Sequence, residues 1–527
     1  MVRLTTFIYL VAVLCIADTQ PPEYWKEKAD RDLQRALRLK QNTNVAKNIV
    51  LFLGDGNGIS TITATRIYKG QMQPDNLGGE EYELYYERFP NIGMSKTYCN
   101  DRQVPDSAAT GTAYLCGVKS NYNTIGMDYR VQKGNCTMPA PAVDSILKLA
   151  QDAGKATGIV TTTRITHATP ANTYAHSPER AWEGTIPDSE AEKGCKDIAY
   201  QLVKESPGNK IKVILGGGRE TLLTNTTQDY EYPDKKGKRT DGLDLVDEWL
   251  DSHAGDRATF VWNTTGFDNV DPAETDYLLG VFEPGHMQYE ANRTNEPSLE
   301  EMVEKAIRIL KKDKDGFFLL VEAGRMDHSH HDGKAFHALV DGVAFEAAVK
   351  KGGDLLSEDD TLTIVTADHS FAFDILGYPG RGNPILGIND LERDLDGLPF
   401  TTLNYLDGPG APEVLDSIKQ SGYRPNLTNV DTGSESYLQQ TLIRNKWAGH
   451  DGEDVNIYAK GPMSHLFHST HEQTYIFHAM KYAACIGDVP DDCSYRDPPP
   501  ITCSASVNIA ILWMILSVAL ATFSLRE

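Results

Sequence analysis

Asp327 and His331 stand four residues apart in Asp327-His328-Ser329-His330-His331. On a helix that spacing puts a carboxylate and an imidazole on one face, a pair suited to zinc. Asp368-His369 is a second such pair, and His450, between Gly449 and Asp451, offers a third imidazole. Asp55 lies between two glycines, where small neighbours let a carboxylate approach cations closely. Glu322 ends an apolar run with no basic residue beside it in sequence. A buried glutamate needs a partner, and a cation can be one. Ser107 follows Pro105-Asp106 at the start of a helical stretch. Such a serine is either a helix cap or a nucleophile placed where a helix end favours anions. There is no G-x-S-x-G elbow, so a metal would be the activator of Ser107.

The segments that must carry these residues alternate between strand and helix patterns. Apolar runs at Asn48–Leu53, Gly158–Thr162, Lys212–Leu215, Phe317–Val321 and Thr361–Val365 read as strands buried on both faces. Helices are predicted over Val143–Ala153 and Ser298–Lys311, the latter opened by a Ser298/Glu301 capping box. The alternation predicts an α/β fold with a large, mostly parallel central sheet covered by helices on both faces. In such sheets ligands bind beyond the carboxyl ends of the strands. Asp55, Thr162-Thr163, Glu322 and Asp368-His369 all fall there. Gln228–Asp241 and the Gly/Pro-rich Leu376–Pro412 read as inserted loops.

Length and composition frame this reading. The chain has 527 residues, 40% hydrophobic and 24% charged, enough for a packed core. With 51 Lys+Arg against 74 Asp+Glu, the net charge of -23 argues against nucleic acid as a partner. Arg3 precedes the apolar run Phe7–Ala17, which reads as a signal peptide over 1–17. One large domain is expected over 18–500. The apolar stretch Val507–Leu525 is either a membrane span or a removed signal for a lipid anchor, within a C-terminal segment 501–527. Secretion predicts disulfides among the seven cysteines left after Cys15, with at least one unpaired. It also predicts glycans at sequons on Asn135, Asn225, Asn263, Asn292 and Asn426.

Five long motifs resemble those of animal alkaline phosphatases, with the tissue-nonspecific type closest in appearance. They are Pro105-Asp106-Ser107-Ala108 through Lys119, Val160–Arg164 with His167-Ala168-Thr169-Pro170, Phe317–His331, Val365–Ser370, and Gly452–Val455. The resemblance covers roughly Tyr24 to Cys493. It implies two zinc ions, one held by Asp327, His331 and His450, the other by Asp55, Asp368 and His369 with Ser107 facing it. It implies magnesium on Asp55, Thr169 and Glu322, and Arg180 as the phosphate-holding arginine. A structural calcium on Glu231, the Phe282 backbone, Glu283 and Glu296 is a further implication. So are disulfides Cys136–Cys195 and Cys485–Cys493, and a homodimer that the N-terminal helix near Tyr24–Leu39 helps to join. The implied activity is alkaline hydrolysis of small phosphate monoesters at the outer cell surface, on a glycolipid anchor. Related metal folds cleave phosphodiesters or sulfates, but Ser107 stands where threonine or cysteine would. Three positions depart from the family pattern: Asn57, Trp447-Ala448-Gly449 before His450, and Phe371 in place of a histidine that hydrogen-bonds a zinc-ligand aspartate.

Overall fold

The computed structural model describes residues 20–73, 78–488 and 493. The signal peptide and the segment 501–527 therefore lie outside the described residues. The fold is built on ten strands: β1 (Asn48–Gly54), β2 (Asn91–Lys96), β3 (Ala156–Arg164), β4 (Val213–Gly217), β5 (Ala258–Val261), β6 (Tyr277–Val281), β7 (Phe317–Ala323), β8 (Thr361–Ala367), β9 (Val455–Lys460) and β10 (Ser469–Glu472). Their order across the sheet is β10-β2-β9-β8-β1-β7-β3-β4-β6-β5. Every neighbour pair is parallel except those of β9, which runs against both β8 and β2.

The uniformly apolar strands follow from this topology. In β1, Ile49, Leu51 and Leu53 pack into the core on one side, while Val50 and Phe52 pack into the core on the other. Strand β7 divides the same way, Phe318 and Leu320 against Phe317, Leu319 and Val321. Both faces are covered, so alternation of polar and apolar residues has no role in these strands.

The helix Leu299–Leu310 covers one face. The Ser298 hydroxyl accepts from Glu301 N–H at 3.2 Å, and the Glu301 carboxylate accepts from Ser298 N–H at 2.7 Å. Leu299, Met302, Val303, Ala306, Ile307 and Leu310 are buried at helical spacing. The helix expected over Val143–Ala153 is shorter, Ile146–Asp152. Ser145 starts it late, because its hydroxyl accepts from Lys148 N–H at 3.1 Å and takes the capping position. The N-terminal helix Pro22–Leu37 has no buried residue. Cys136 and Cys195 form a disulfide, and Cys485 and Cys493 are also disulfide-bonded. Cys99 and Cys116 are buried free thiols. Among the described residues no helix is long and apolar enough to cross a membrane.

Candidate active site

The register of the central strands sets the site. Strand β1 lies between β7 and β8, pairing Leu53 with Glu322 and Gly54 with Ala367. Strand β3 pairs Thr161 with Glu322 from the other side. Asp55, Glu322 and Asp368 thus leave adjacent strands at one edge. The turn after β1 is tight: Gly56 has φ +68°, and a Cβ there would meet the Phe371 ring at 2.5 Å. The backbone N–H of Gly56 donates to Asp368 Oδ1 at 3.1 Å.

Asp327 and His331 share the short helix Arg325–His331 that follows β7. His450 comes from far along the chain. It sits in a two-residue antiparallel bridge, His450 opposite Phe371 and Asp451 opposite Ser370. The three imidazoles converge on the acids. His331 Nε2 is 3.4 Å from Asp327 Oδ2, and His450 Nε2 is 3.3 Å from Asp327 Oδ1. His369 Nε2 is 3.1 Å from Asp368 Oδ2 and 3.4 Å from Asp55 Oδ1.

The outer nitrogens are equally ordered. His331 Nδ1 lies 2.6 Å from the Ala448 carbonyl, His450 Nδ1 2.9 Å from that of Pro105, and His369 Nδ1 3.3 Å from that of Ser370. A carbonyl only accepts, so each ring keeps a proton on Nδ1 and, once neutral, presents its Nε2 lone pair inward. That is the tautomer a metal requires.

Four carboxylates, Asp55, Glu322, Asp327 and Asp368, are each at most 4% exposed. Both oxygens of Asp55, Glu322 Oε1 and Asp327 Oδ1 are buried without a hydrogen-bond partner, as is Thr169 Oγ1. Burial and the neighbouring acids Asp368 and Asp327 push Asp55 well above the usual carboxylate range. Burial pushes Glu322 to about 7, against the hydroxyls of Thr161 and Thr163 that bond its other oxygen. Burial, then Asp327, lifts Asp368 to about 6. At Asp327 burial is outweighed by His331 and His450, which hold its carboxyl well below the usual range. So many buried acids with idle oxygens are a costly arrangement alone and a fitting one around divalent cations. Two sets have ligand atoms within 4.8 Å of one another here: Asp327, His369 and His450, and Asp55, Asp368 and His369. A third joins Asp55, Glu322 and His167.

Ser107 is the first residue of the helix Ser107–Cys116 and is 2% exposed. The cap is Asp106, whose carboxylate accepts from Ala108 and Ala109 N–H at 3.2 and 3.3 Å. Ser107 Oγ is thereby left for other work, 3.3 Å from His369 Nε2. Arg180 Nη1 donates to Asp106 Oδ2 at 3.0 Å, and its Nη2 to His167 Nε2 at 3.0 Å. Asp106 thus caps the serine helix and holds Arg180 beside it. Sequence reasoning assigned no role to Asp106 or His167; the Asp-Ser order before a helix was the available signal for the first.

Glu231, Phe282, Glu283 and Glu296 sit apart from this cluster. Glu283 Oε1 accepts from Tyr232 OH at 2.7 Å and Gln288 Nε2 at 2.9 Å. Glu231 Oε1 accepts from Asn295 Nδ2. Glu296 Oε1 accepts from Gln288 N–H at 2.8 Å, while its Oε2 is buried and idle. Burial pushes Glu296 to about 8. These carboxylates are not among the described groups whose ligand atoms crowd within 4.8 Å.

A sequence model of the family described as "Alkaline phosphatase" matches residues 46–486. The chain belongs to the alkaline phosphatase family. It is similar to the tissue-nonspecific alkaline phosphatase isozymes of Gallus gallus (48% identical, 96% of this chain and 98% of that one) and Homo sapiens (48%, 92% and 94%). It is also similar to the alkaline phosphatase of Gadus morhua (46%, 88% and 98%). Among solved structures, Thermus thermophilus alkaline phosphatase matches with a TM-score of 0.60 at 23% identity, covering 84% of this chain and 92% of that one. The alkaline phosphatase of the Antarctic bacterium TAB5 matches with a TM-score of 0.58 at 23%, covering 84% and 99%. These two support the fold. As an alkaline phosphatase the chain is a hydrolase of phosphate monoesters, and the cluster of acids and imidazoles is where such chemistry would sit.

Proposed function

We propose that the chain hydrolyses phosphate monoesters through a phosphoserine at Ser107, with two zinc ions and one magnesium. Asp327, His331 and His450 would hold one zinc, and Asp55, Asp368 and His369 the other, with Ser107 facing it. Asp55, Thr169 and Glu322 would hold magnesium. Bound zinc supplies Lewis acidity, lowering the pKa of a hydroxyl or water and offsetting charge that develops on oxygen. Ser107 Oγ attacks phosphorus, the alcohol departs, and water cleaves the serine ester. Arg180 can grip two phosphate oxygens at once, a geometry lysine lacks. Asp106 and His167 fix its orientation. The reactive form of Ser107 is the alkoxide, so activity rises into the alkaline range. The single observation that carries this reading is the set of three Nδ1 atoms bonded to backbone carbonyls, which turns three Nε2 atoms toward three buried acids beside Ser107.

Hydrolysis of p-nitrophenyl phosphate with and without EDTA tests the metal requirement. Quenching with labelled phosphate at low pH tests the intermediate, and label on any residue but Ser107 overturns it. Glu231, the Phe282 carbonyl, Glu283 and Glu296 would hold a structural calcium, supported by the idle Glu296 Oε2. Secretion with a cleaved signal over 1–17, one domain over 18–500 and a glycolipid replacing the tail from about Val507 complete the proposal. Exposed sequons at Asn135, Asn225, Asn292 and Asn426 support glycosylation, with Asn263 half-buried. A phosphatidylinositol-specific phospholipase should release activity from cells, and a mature protein retaining the apolar tail would refute the anchor. A second copy would cover the N-terminal helix, which exposes Trp25, Leu33 and Leu37. A monomer by light scattering would refute that dimer.

A further inference from the structure

A second histidine trio, His167, His286 and His328, borders the reactive corner. One ring nitrogen of each lies within 4.8 Å of the others, and the His286 and His328 ring centroids are 4.1 Å apart. The spacing suits a metal, but the hydrogen bonds do not. Arg180 Nη2 donates to His167 Nε2, and Arg325 Nη1 donates to His328 Nδ1, both at 3.0 Å. Arg164 meets His286 at both nitrogens, its backbone N–H at Nδ1 and its guanidinium at Nε2. A guanidinium only donates. A neutral imidazole has a single lone pair, and in each ring a donor already meets it, so none is left for a metal. The proton of His167 is displaced to Nδ1, which is buried without a partner, and that of His328 to Nε2, whereas the one proton of His286 sits on a nitrogen that faces Arg164 in either tautomer.

The charges point the same way. Arg164 is paired with Glu183 at 2.5 Å and Arg180 with Asp106 at 3.0 Å. Among the described residues no carboxylate lies within ion-pair distance of Arg325. It lies 3.9 Å over the Tyr289 ring, and its Nε is buried without a partner. Arg325, His328 and His286 are half-buried, so solvent reaches them. The patch has the His328 Nε2–H and a guanidinium with no ion-pair partner among the described residues, a complement to an oxyanion. It sits one imidazole away from Arg180, since His167 touches Arg180 and its ring centroid lies 5.1 Å from that of His286 and 5.6 Å from that of His328.

We infer that Arg325 and His328, with the His286 ring packed against His328, form a subsite for a second anionic group on the alcohol side of the substrate. The favoured class is a small phosphate monoester whose alcohol carries a carboxylate or similar oxyanion a few bonds from the ester oxygen. This rests on the phosphomonoesterase reading above.

The test uses the metal-loaded full chain and two substrates matched in length, glycerol 3-phosphate and 3-phosphoglycerate, which differ by a carboxylate. His286→Ala and Arg325→Gln should each raise KM for 3-phosphoglycerate about five- to tenfold. The KM for glycerol 3-phosphate should stay within twofold, and kcat for both should hold. If both substrates shift together, or neither shifts, in His286→Ala, the subsite is wrong. Loss of a bound metal equivalent from His286→Ala would show a metal cage and also overturn it. If Arg325→Gln disturbs metal content through neighbouring Asp327, His286→Ala decides alone. A wild-type chain that hydrolyses neither ester sinks the phosphatase reading and the subsite with it; one that hydrolyses both without a variant effect sinks the subsite only.

Discussion

His331, His369 and His450 each set Nδ1 against a backbone carbonyl, whereas His167, His286 and His328 each face an arginine. The residue type and the crowding are alike in the two trios. The partner behind each ring makes the difference, because it assigns the single proton of a neutral imidazole. A carbonyl pulls that proton outward and leaves a lone pair for a cation. A guanidinium takes the lone pair and, in His167 and His328, leaves the opposite N–H for an acceptor. Three histidines close together are therefore no metal site until their second hydrogen bonds are known.

The contrast can be broken at several points. The largest effect should come from Ser107→Ala. Turnover should fall on the order of 10³-fold or more, as when other nucleophiles are removed, while zinc content stays that of the wild type. Loss of zinc together with activity would mean that Ser107 holds the ion rather than attacking.

Phe371→His should have the next largest effect. The Phe371 ring stacks on His330 at 4.8 Å and meets His331 and His450 edge-on at 4.9 and 5.1 Å. His330 is already engaged at both nitrogens, by Thr61 at 3.1 Å and Tyr405 at 2.7 Å, and His328 sets its Nδ1 against Arg325. A histidine at 371 could donate to Asp327, and such supporting bonds are worth about 10–100-fold in metal affinity or activity. Zinc loss to a chelator should slow by a factor in that range. Equal or faster loss would show the aromatic wall to be the better support.

His167→Ala removes an acceptor from Arg180. A hydrogen bond to a charged group is worth about 1.5–3 kcal/mol, so kcat/KM should drop roughly tenfold or more with metal content unchanged. A missing metal equivalent would move His167 into the ligand class and blur the contrast.

The smallest effect is expected at Asp341, near Arg325. Burial raises its carboxyl to about 7, against the pull of Arg325. The folded state thus binds a proton that the unfolded chain releases near pH 4, and stability falls as pH rises from about 4 to 7. Asp341→Asn should flatten that slope and raise the melting temperature by a few degrees at pH 8. An unchanged slope would place the titration elsewhere.

Much of the scaffold could be read from the residues alone. Runs such as Asn48–Leu53 and Phe317–Val321 carry no polar alternation because both of their faces are covered, and the acids at their ends share one edge of the sheet by parallel pairing. Less local features were hidden. His450 reaches the site through a two-residue bridge to Phe371, a pairing 79 positions away in sequence that no periodicity announces. Strand β9 looks like any apolar stretch, and its reversed direction depends on its two neighbours. Ser107 had a capping reading as well as a nucleophilic one, and only the bonds from Ala108 and Ala109 assign the cap to Asp106 instead. His286 lies in a loop after β6, where nothing in the local pattern marks it.

The position of β9 bears on how the protein is made. It fills the gap between β8 and β2, and β10 is later still, so a growing chain that has reached only residue 454 leaves one edge of β8 bare and β2 with no sheet partner on either side. His450 emerges just before that strand and is held by its bridge to Phe371 and by the Pro105 carbonyl. The protein would spend most of its synthesis as an open-edged intermediate that needs protection from association. A transcript cut short anywhere upstream of Lys460 would yield a chain with exposed edges, destined for quality control rather than for partial activity.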